Sequence, residues 1–246
     1  TANRDHHGSL TALKSVVQAN LGIIRTEFGR FGRQVSGYSL EHLLPEHHFD
    51  VTRFLAGSEG TLAVIIGATV RLVADAPYKI MIALGYPTMA DAADAAPLII
   101  DHRPTACEGL DRRIVDVVRR TRGEAAVPPL PRGDGWMFVE LVGEDLAELK
   151  VRADALLAAA GASDGIVVID PAHAMALWKI REDGAGLASI SLARPAYPGW
   201  EDAAVPARHL GSYLRDFDRL LDDHGLDGLP YGHFGDGCVH VRIDFP

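Results

Sequence analysis

The sequence predicts an α+β fold: a largely antiparallel sheet with βαβ-like units packed by helices, preceded by the tail of another domain. Three observations predict it. Strand-like and helical segments alternate along residues 78–246, two Pro/Gly-rich loops break any even βαβ rhythm, and the patterning changes near Pro77. The expected division is therefore 1–77 and 78–246, the second part truncated at its C-terminal end.

In chain order, Ser9 is positioned to cap a helix carrying Leu10, Leu13, Val17, Leu21, Ile24 and Phe28 at three- and four-residue spacing. A Gly/Arg-rich loop covers 29–37, and short helical stretches follow at 39–44 and 50–55. Residues 61–73 are rich in β-branched side chains and read as a long strand. Beyond Pro77 the pattern predicts strand 79–85, helix 88–96 and helix 110–121. The loop 123–135, with three prolines, reads as the most flexible segment. Strand 136–142, helix 144–160, strand 165–169 and helix 171–181 come next. Pro206 suits the first turn of a helix through 223, and a last strand covers 238–245.

The bulk properties exclude several classes. The 246 residues carry a net charge of -9, which disfavours a phosphate backbone as partner. No apolar run reaches the roughly 18 residues of a membrane span; the best candidate, 62–73, is interrupted by Arg71. The start lacks the apolar stretch of a signal peptide, so the cytoplasm is the default compartment. Cys107 and Cys238 are far apart and encode neither a disulfide framework nor an iron–sulfur site. A start at Thr1 and a stop after a strand-like segment suggest a piece of something longer.

Three segments carry chemistry. Gly57-Ser58-Glu59-Gly60-Thr61-Leu62 sets two glycines and two hydroxyls before the predicted strand, so main chain can approach a ligand closely. A plain helix-to-strand turn would look the same. In Tyr231-Gly-His-Phe-Gly-Asp-Gly-Cys-Val-His240, Asp236-Gly237 is a two-residue hairpin signal. That turn would pair His233 with His240, with Cβ atoms about 5 Å apart and both imidazoles within reach of one cation. Cys238, His240, Arg242 and Asp244 would then share one face, with Val239, Val241, Ile243 and Phe245 toward the core. A surface hairpin with merely hydrogen-bonding histidines is the alternative. In Trp178-Lys-Ile-Arg-Glu182, Arg181 is suited to hold a carboxylate through two parallel hydrogen bonds, although a lone Arg also serves as a surface ion pair. The pairs His6-His7 and His47-His48 read as solvated loop residues, and Cys107 as a packed thiol.

Residues 36–73, SGYSLEHLLPEHHFDVTRFLAGSEGTLAVIIGATVRLV, closely resemble the last stretch of the FAD-binding domain of FAD-linked oxidases related to vanillyl-alcohol oxidase, glycolate oxidase and D-lactate dehydrogenase. The resemblance implies backbone contacts to FAD from Gly57, Ser58, Glu59, Gly60, Thr61, Leu62, Ala63, Val64 and Ile65. Ala63 departs from the family's usual Gly. The pyrophosphate loop, and any residue tethering FAD covalently, would belong upstream of Thr1. The 233–240 stretch resembles the His-x-Gly-Asp-Gly-Asn-x-His motif of the same family, which implies a divalent cation, zinc or manganese, on His233 and His240. Cys238 replaces the usual Asn, and Arg242 stands where a second Asn is common. The third metal ligand and the base would lie beyond Pro246.

The Trp-x-x-Arg-Glu pattern also occurs in the family, which implies that Arg181 holds the substrate carboxylate, helped by Arg242. Ala185 and Trp200 replace a Thr and a Lys of the 2-hydroxyglutarate enzymes, which points to a different 2-hydroxy acid. The resemblance therefore implies an FAD-dependent dehydrogenase or oxidase passing hydride from a small 2-hydroxy acid to flavin, with a separate electron acceptor. In some relatives that acceptor is an iron–sulfur region further downstream. The chain alone is expected to be inactive. Two rival readings stand beside this one: a non-catalytic binding domain that kept the fold, and a flavin-free metal hydrolase using His233 and His240. The substrate's identity and the oligomeric state are not encoded in any motif.

Overall fold

The structure, a computed structural model, describes residues 5–34 and 37–246. The chain divides into two compact units, 1–73 and 74–246.

In the first unit, helices α1 (Asp5–Ala19) and α2 (Leu21–Glu27) are separated at Asn20, and α3 (Val51–Leu55) follows two 3-10 turns. Val17, Ile24, Leu43, Leu44 and Phe54 form its small core. Two expectations fail here. Ser9 lies inside α1 rather than at its cap, because the helix begins at Asp5. Residues 6 and 7 also fall inside α1 rather than in a loop, and their side chains lie outside the described residues. Residues 61–73 form no strand: Val64, Ile66, Val70 and Leu72 are exposed, and the unit's described residues hold no strand to pair with them. High β-propensity cannot make a strand without a ladder partner.

The second unit runs β1 (Tyr78–Tyr86), α4 (Met89–Ile100), β2 (Ala106–Asp111), α5 (Arg112–Arg122), β3 (Gly135–Gly143), α6 (Leu146–Ala159) and β4 (Asp164–Val168). It continues with α7 (Pro171–Glu182), α8 (Gly184–Ala188), β5 (Tyr197–Ala204), α9 (Leu210–Asp223), β6 (Gly228–Tyr231) and β7 (Cys238–Ile243). The first four strands make one sheet in the order β2-β3-β1-β4, every neighbouring pair antiparallel. β1 and β2 thus run parallel with β3 between them, and β3 and β4 run parallel around β1. The predicted βαβ units are present, each split by an inserted strand. The remaining strands form the sheet β5-β7-β6, also antiparallel.

The larger sheet is buried on both faces. Ile80, Ile82 and Leu84 pack with α4, α6 and α9, while Met81 and Ala83 pack with α5, α7 and α8. Thr88, Asp111, Asp145 and Asp170 cap the N-termini of α4, α5, α6 and α7 with their side chains. The loop expected to be flexible packs instead. Trp136 donates its indole N–H to the Pro131 carbonyl, the Asp164 carboxylate accepts from the Arg132 amide, and the Arg132 carbonyl lies where a Cβ on Gly85 would be.

The predicted helix 110–121 begins late, since Leu110 and Asp111 complete β2. β2 joins the two sheets: Gly109 and Gly232 form a bridge, exchanging backbone hydrogen bonds at 2.8 and 3.3 Å. A Cβ on Gly109 would lie 2.6 Å from the Phe234 ring, so only glycine permits this approach. Arg113 fixes the same junction, donating to Asp111 at the end of β2 and to the Gly228 carbonyl of β6.

Candidate functional site

The Gly109–Gly232 bridge sets Glu108 of β2 beside His233. The turn after β6 is longer than predicted. Gly237 adopts the expected left-handed φ of 69°, but Phe234–Asp236 form a 3-10 turn and the Cys238 amide donates to the His233 carbonyl. Tyr231, not His233, therefore stands opposite His240. Gly232, at φ 143°, diverts the chain toward β2 and takes His233 out of the ladder. The register error is two residues, an even shift, so the face is preserved. The imidazoles of His233 and His240 still meet, ring centroids 5.4 Å apart and edge to face.

Each imidazole is held by a carboxylate. His233 Nδ1 lies 3.0 Å from Glu108 Oε1, and Glu108 Oε2 accepts from Arg181 Nη2 at 2.5 Å. His240 Nδ1 lies 2.9 Å from Glu201 Oε2, and Glu201 Oε1 pairs with Arg242 Nη1 at 3.0 Å. The Asp202 amide also approaches His240 Nδ1, at 3.3 Å. An ionised carboxylate at the shorter distance outcompetes it, so Nδ1 carries the proton and Nε2 a lone pair. Tyr231 lies between the two halves, with its ring 5.4 Å from that of His240 and 5.7 Å from the Arg181 guanidinium.

Burial alone would push the Glu108 carboxyl up. The hydrogen bond from His233 and the charge of Arg181 outweigh it and hold the group below its ordinary value. Burial pushes His240 below the ordinary imidazole value, against the opposing pull of Glu201 and Asp202. Tyr231 is raised by burial first and by Glu201 second. Arg181 Nε and Arg242 Nε are both buried without a hydrogen-bond partner among the described residues. An unmet guanidinium donor is costly to bury, and a carboxylate ligand would satisfy it.

Arg181, Arg242, His233 and His240 are thus brought together as expected, while the expected cation site is not complete. Among the described residues no group of three or more His, Cys, Asp or Glu is arranged to hold a metal. Both Nδ1 atoms face carboxylates that also bind arginines, so two imidazoles stand without a third donor, and no chemistry is routed through zinc or manganese. Cys107 and Cys238 are buried thiols not joined in a disulfide, two where a cluster of four cysteine ligands would be needed, so this chain holds no complete iron–sulfur ligand set. Glu108, Glu201 and Tyr231 were not singled out from sequence. All three sit on strands, β2, β5 and β6, whose Gly, Pro and acidic content masks them. Asp244 shares the predicted β7 face but is tied to Arg194, and Phe245, expected in the core, is exposed. Trp200 packs on Phe217 of α9 and donates to the Tyr213 hydroxyl. The side chain of Ala185 lies outside the described residues.

In the first unit, Gly57, Glu59 and Gly60 have φ of 79°, 50° and 76°, a tight left-handed turn. A Cβ on Gly57 or Gly60 would meet nothing within 4 Å, so the main chain there is open to close approach. The Ser58 hydroxyl donates to the Leu55 carbonyl and that of Thr61 to the Ser58 carbonyl, so both hydroxyls serve the turn. Leu62, Ala63, Val64 and Ile65 continue it as exposed chain outside any helix or strand. This fits backbone contact with a flavin along one edge.

Residues 76–246 match the family model of FAD linked oxidases, C-terminal domain. The chain is 30% identical over 238 residues to the D-2-hydroxyglutarate dehydrogenase of Escherichia coli (strain K12), covering 89% of this chain and 23% of that protein. It is 30% identical over 213 residues to the D-lactate dehydrogenase of Archaeoglobus fulgidus, covering 86% of this chain and 43% of that protein. With a mitochondrial D-lactate dehydrogenase [cytochrome] of Arabidopsis thaliana it shares 29% over 205 residues, 80% of this chain and 34% of that protein. The chain thus spans under half the length of these relatives. Its cofactor class follows from the family, whose name carries FAD. With most of its length matched, the chain belongs to the FAD-linked oxidases, through their C-terminal domain.

Proposed function

We propose that the protein oxidises a 2-hydroxy acid, with residues 1–77 as the C-terminal part of an FAD-binding domain and 78–246 as the substrate domain. One observation carries this reading: Arg181 and Arg242, on α7 and β7, join the two imidazoles in one carboxylate-bridged cluster. The named activities of the relatives, D-2-hydroxyglutarate and D-lactate dehydrogenation, give it its chemical class. FAD, when bound, supplies the hydride acceptor. The unmet Nε of Arg181, and that of Arg242, take the substrate carboxylate and so orient the carbon that loses hydride. A neutral imidazole whose Nδ1 proton faces a carboxylate offers Nε2 to the substrate hydroxyl as an acceptor.

The test is anaerobic titration of the full-length, flavin-loaded protein with D-lactate and longer 2-hydroxy acids. Bleaching of the flavin absorption is expected. Arg181→Lys keeps the charge but loses the fork, so kcat/KM should fall by about 1.5–3 kcal/mol. A flavin that no 2-hydroxy acid reduces would overturn the reading in favour of a binding domain, and hydrolysis without flavin would favour the hydrolase.

A further inference from the structure

Both arginines of the site are already bonded to a glutamate. Arg181 holds Glu108 and Arg242 holds Glu201, and each arginine side chain is only 13% exposed. Two guanidinium charges therefore meet two carboxylate charges, and burial keeps His240 toward its neutral form. These charges balance before any ligand enters, and Asp202 beside His240 adds a further negative one. A ligand with one carboxylate adds a single negative charge, and the unmet Nε of Arg181, like that of Arg242, can donate to it. A ligand with two carboxylates adds a second charge. That second charge finds no countercharge left, because each guanidinium is already neutralised by a glutamate, and it is repelled by the first carboxylate as well as by both glutamates.

Lys179, on the same helix as Arg181, is held by Asp183 at 2.8 Å. The group packed between the two halves is the buried Tyr231 ring, which suits an uncharged remainder. Resting on the 2-hydroxy-acid reading, we infer that Glu108 and Glu201 are specificity residues. They restrict the site to 2-hydroxy acids with a single carboxylate and an uncharged tail.

The test compares D-lactate and D-2-hydroxybutyrate with D-malate and D-2-hydroxyglutarate as substrates of the full-length, flavin-loaded protein. The monocarboxylates should exceed the dicarboxylates in kcat/KM by at least about tenfold. Glu201→Gln, which leaves Arg242 without a counter-charge, should narrow that gap, chiefly by lowering KM for the dicarboxylates. Glu108→Gln should act in the same sense, and the wild-type comparison stands even where a variant does not fold. Dicarboxylates equal to or better than monocarboxylates would overturn the specificity assignment and leave the activity standing. A gap that both folded variants leave unchanged would remove the glutamates from it. Turnover of neither class would overturn the activity itself, and the specificity with it.

Discussion

At the scale of single residues, the site depends on a glycine that makes no polar side-chain contact. Gly109 lets β2 approach the turn after β6, and its bridge to Gly232 keeps Glu108 in reach of His233. A Cβ there would lie 2.6 Å from a Phe234 ring that is fully buried and has no room to withdraw. Gly109→Ala should therefore cost about 1–3 kcal/mol of stability, as overpacking of a tight core does. Gly186 is the contrasting case: it sits in α8 with nothing within 4 Å of an added Cβ and no positive φ. Gly186→Ala should be neutral or stabilise by up to about 1 kcal/mol. Urea denaturation of both variants checks the pair, and equal midpoints for the two would contradict the packing at Gly109.

At the scale of elements, legibility followed burial and periodicity. β1, β3 and α4 to α7 were readable because their apolar spacing matches the face each one buries. β2 was not, since Ala-Cys-Glu-Gly-Leu-Asp holds two residues depleted in strands and passes straight into α5. β5, with Pro198 and Gly199 and broken register, gave still less signal. These two strands carry the site's glutamates, so the basic half of the cluster was legible and the acidic half was not. The segment 61–73 failed the opposite way, as strong β-propensity with nothing to pair against. Elements in the first unit are joined by polar contacts as well as by its small core. Arg25 of α2 binds Glu46 of a 3-10 turn through two hydrogen bonds of 2.7 and 2.9 Å. The hydrogen bond from Arg25 is the main cause that lowers the Glu46 carboxyl from 4.5 to about 2. A carboxylate lowered on folding contributes stability above its unfolded value, and that contribution fades as pH falls from about 4.5 toward 2. An NMR titration should find the Glu46 midpoint near the lower end of that window, and Arg25→Gln should return it toward 4.5. A midpoint that ignores the substitution would mean the pair does not form in solution.

At the scale of the whole molecule, stability is distributed unevenly along the chain. The four-stranded sheet is covered by helices on both faces, and its split βαβ connections bind distant segments into one core. Residues 63–76 lie outside any helix or strand, with Ile66, Leu72 and Val73 nearly fully exposed and Arg71 among them. Cleavage requires a segment that can enter a protease in extended form without first breaking a core. Arg71 meets that condition. Arg132 has an exposed side chain, but its amide donates to Asp164 and its carbonyl rests against Gly85 near the end of β1. Brief digestion with trypsin should therefore give a product beginning at Leu72 while leaving the Arg132–Gly133 bond intact. That product should unfold cooperatively, because both faces of its sheet remain covered. Mass spectrometry of the early products decides the matter. A first cut after Arg132 would mean the proline-rich loop is loose after all, and with it the edge of β3 that adjoins β2 and its glutamate.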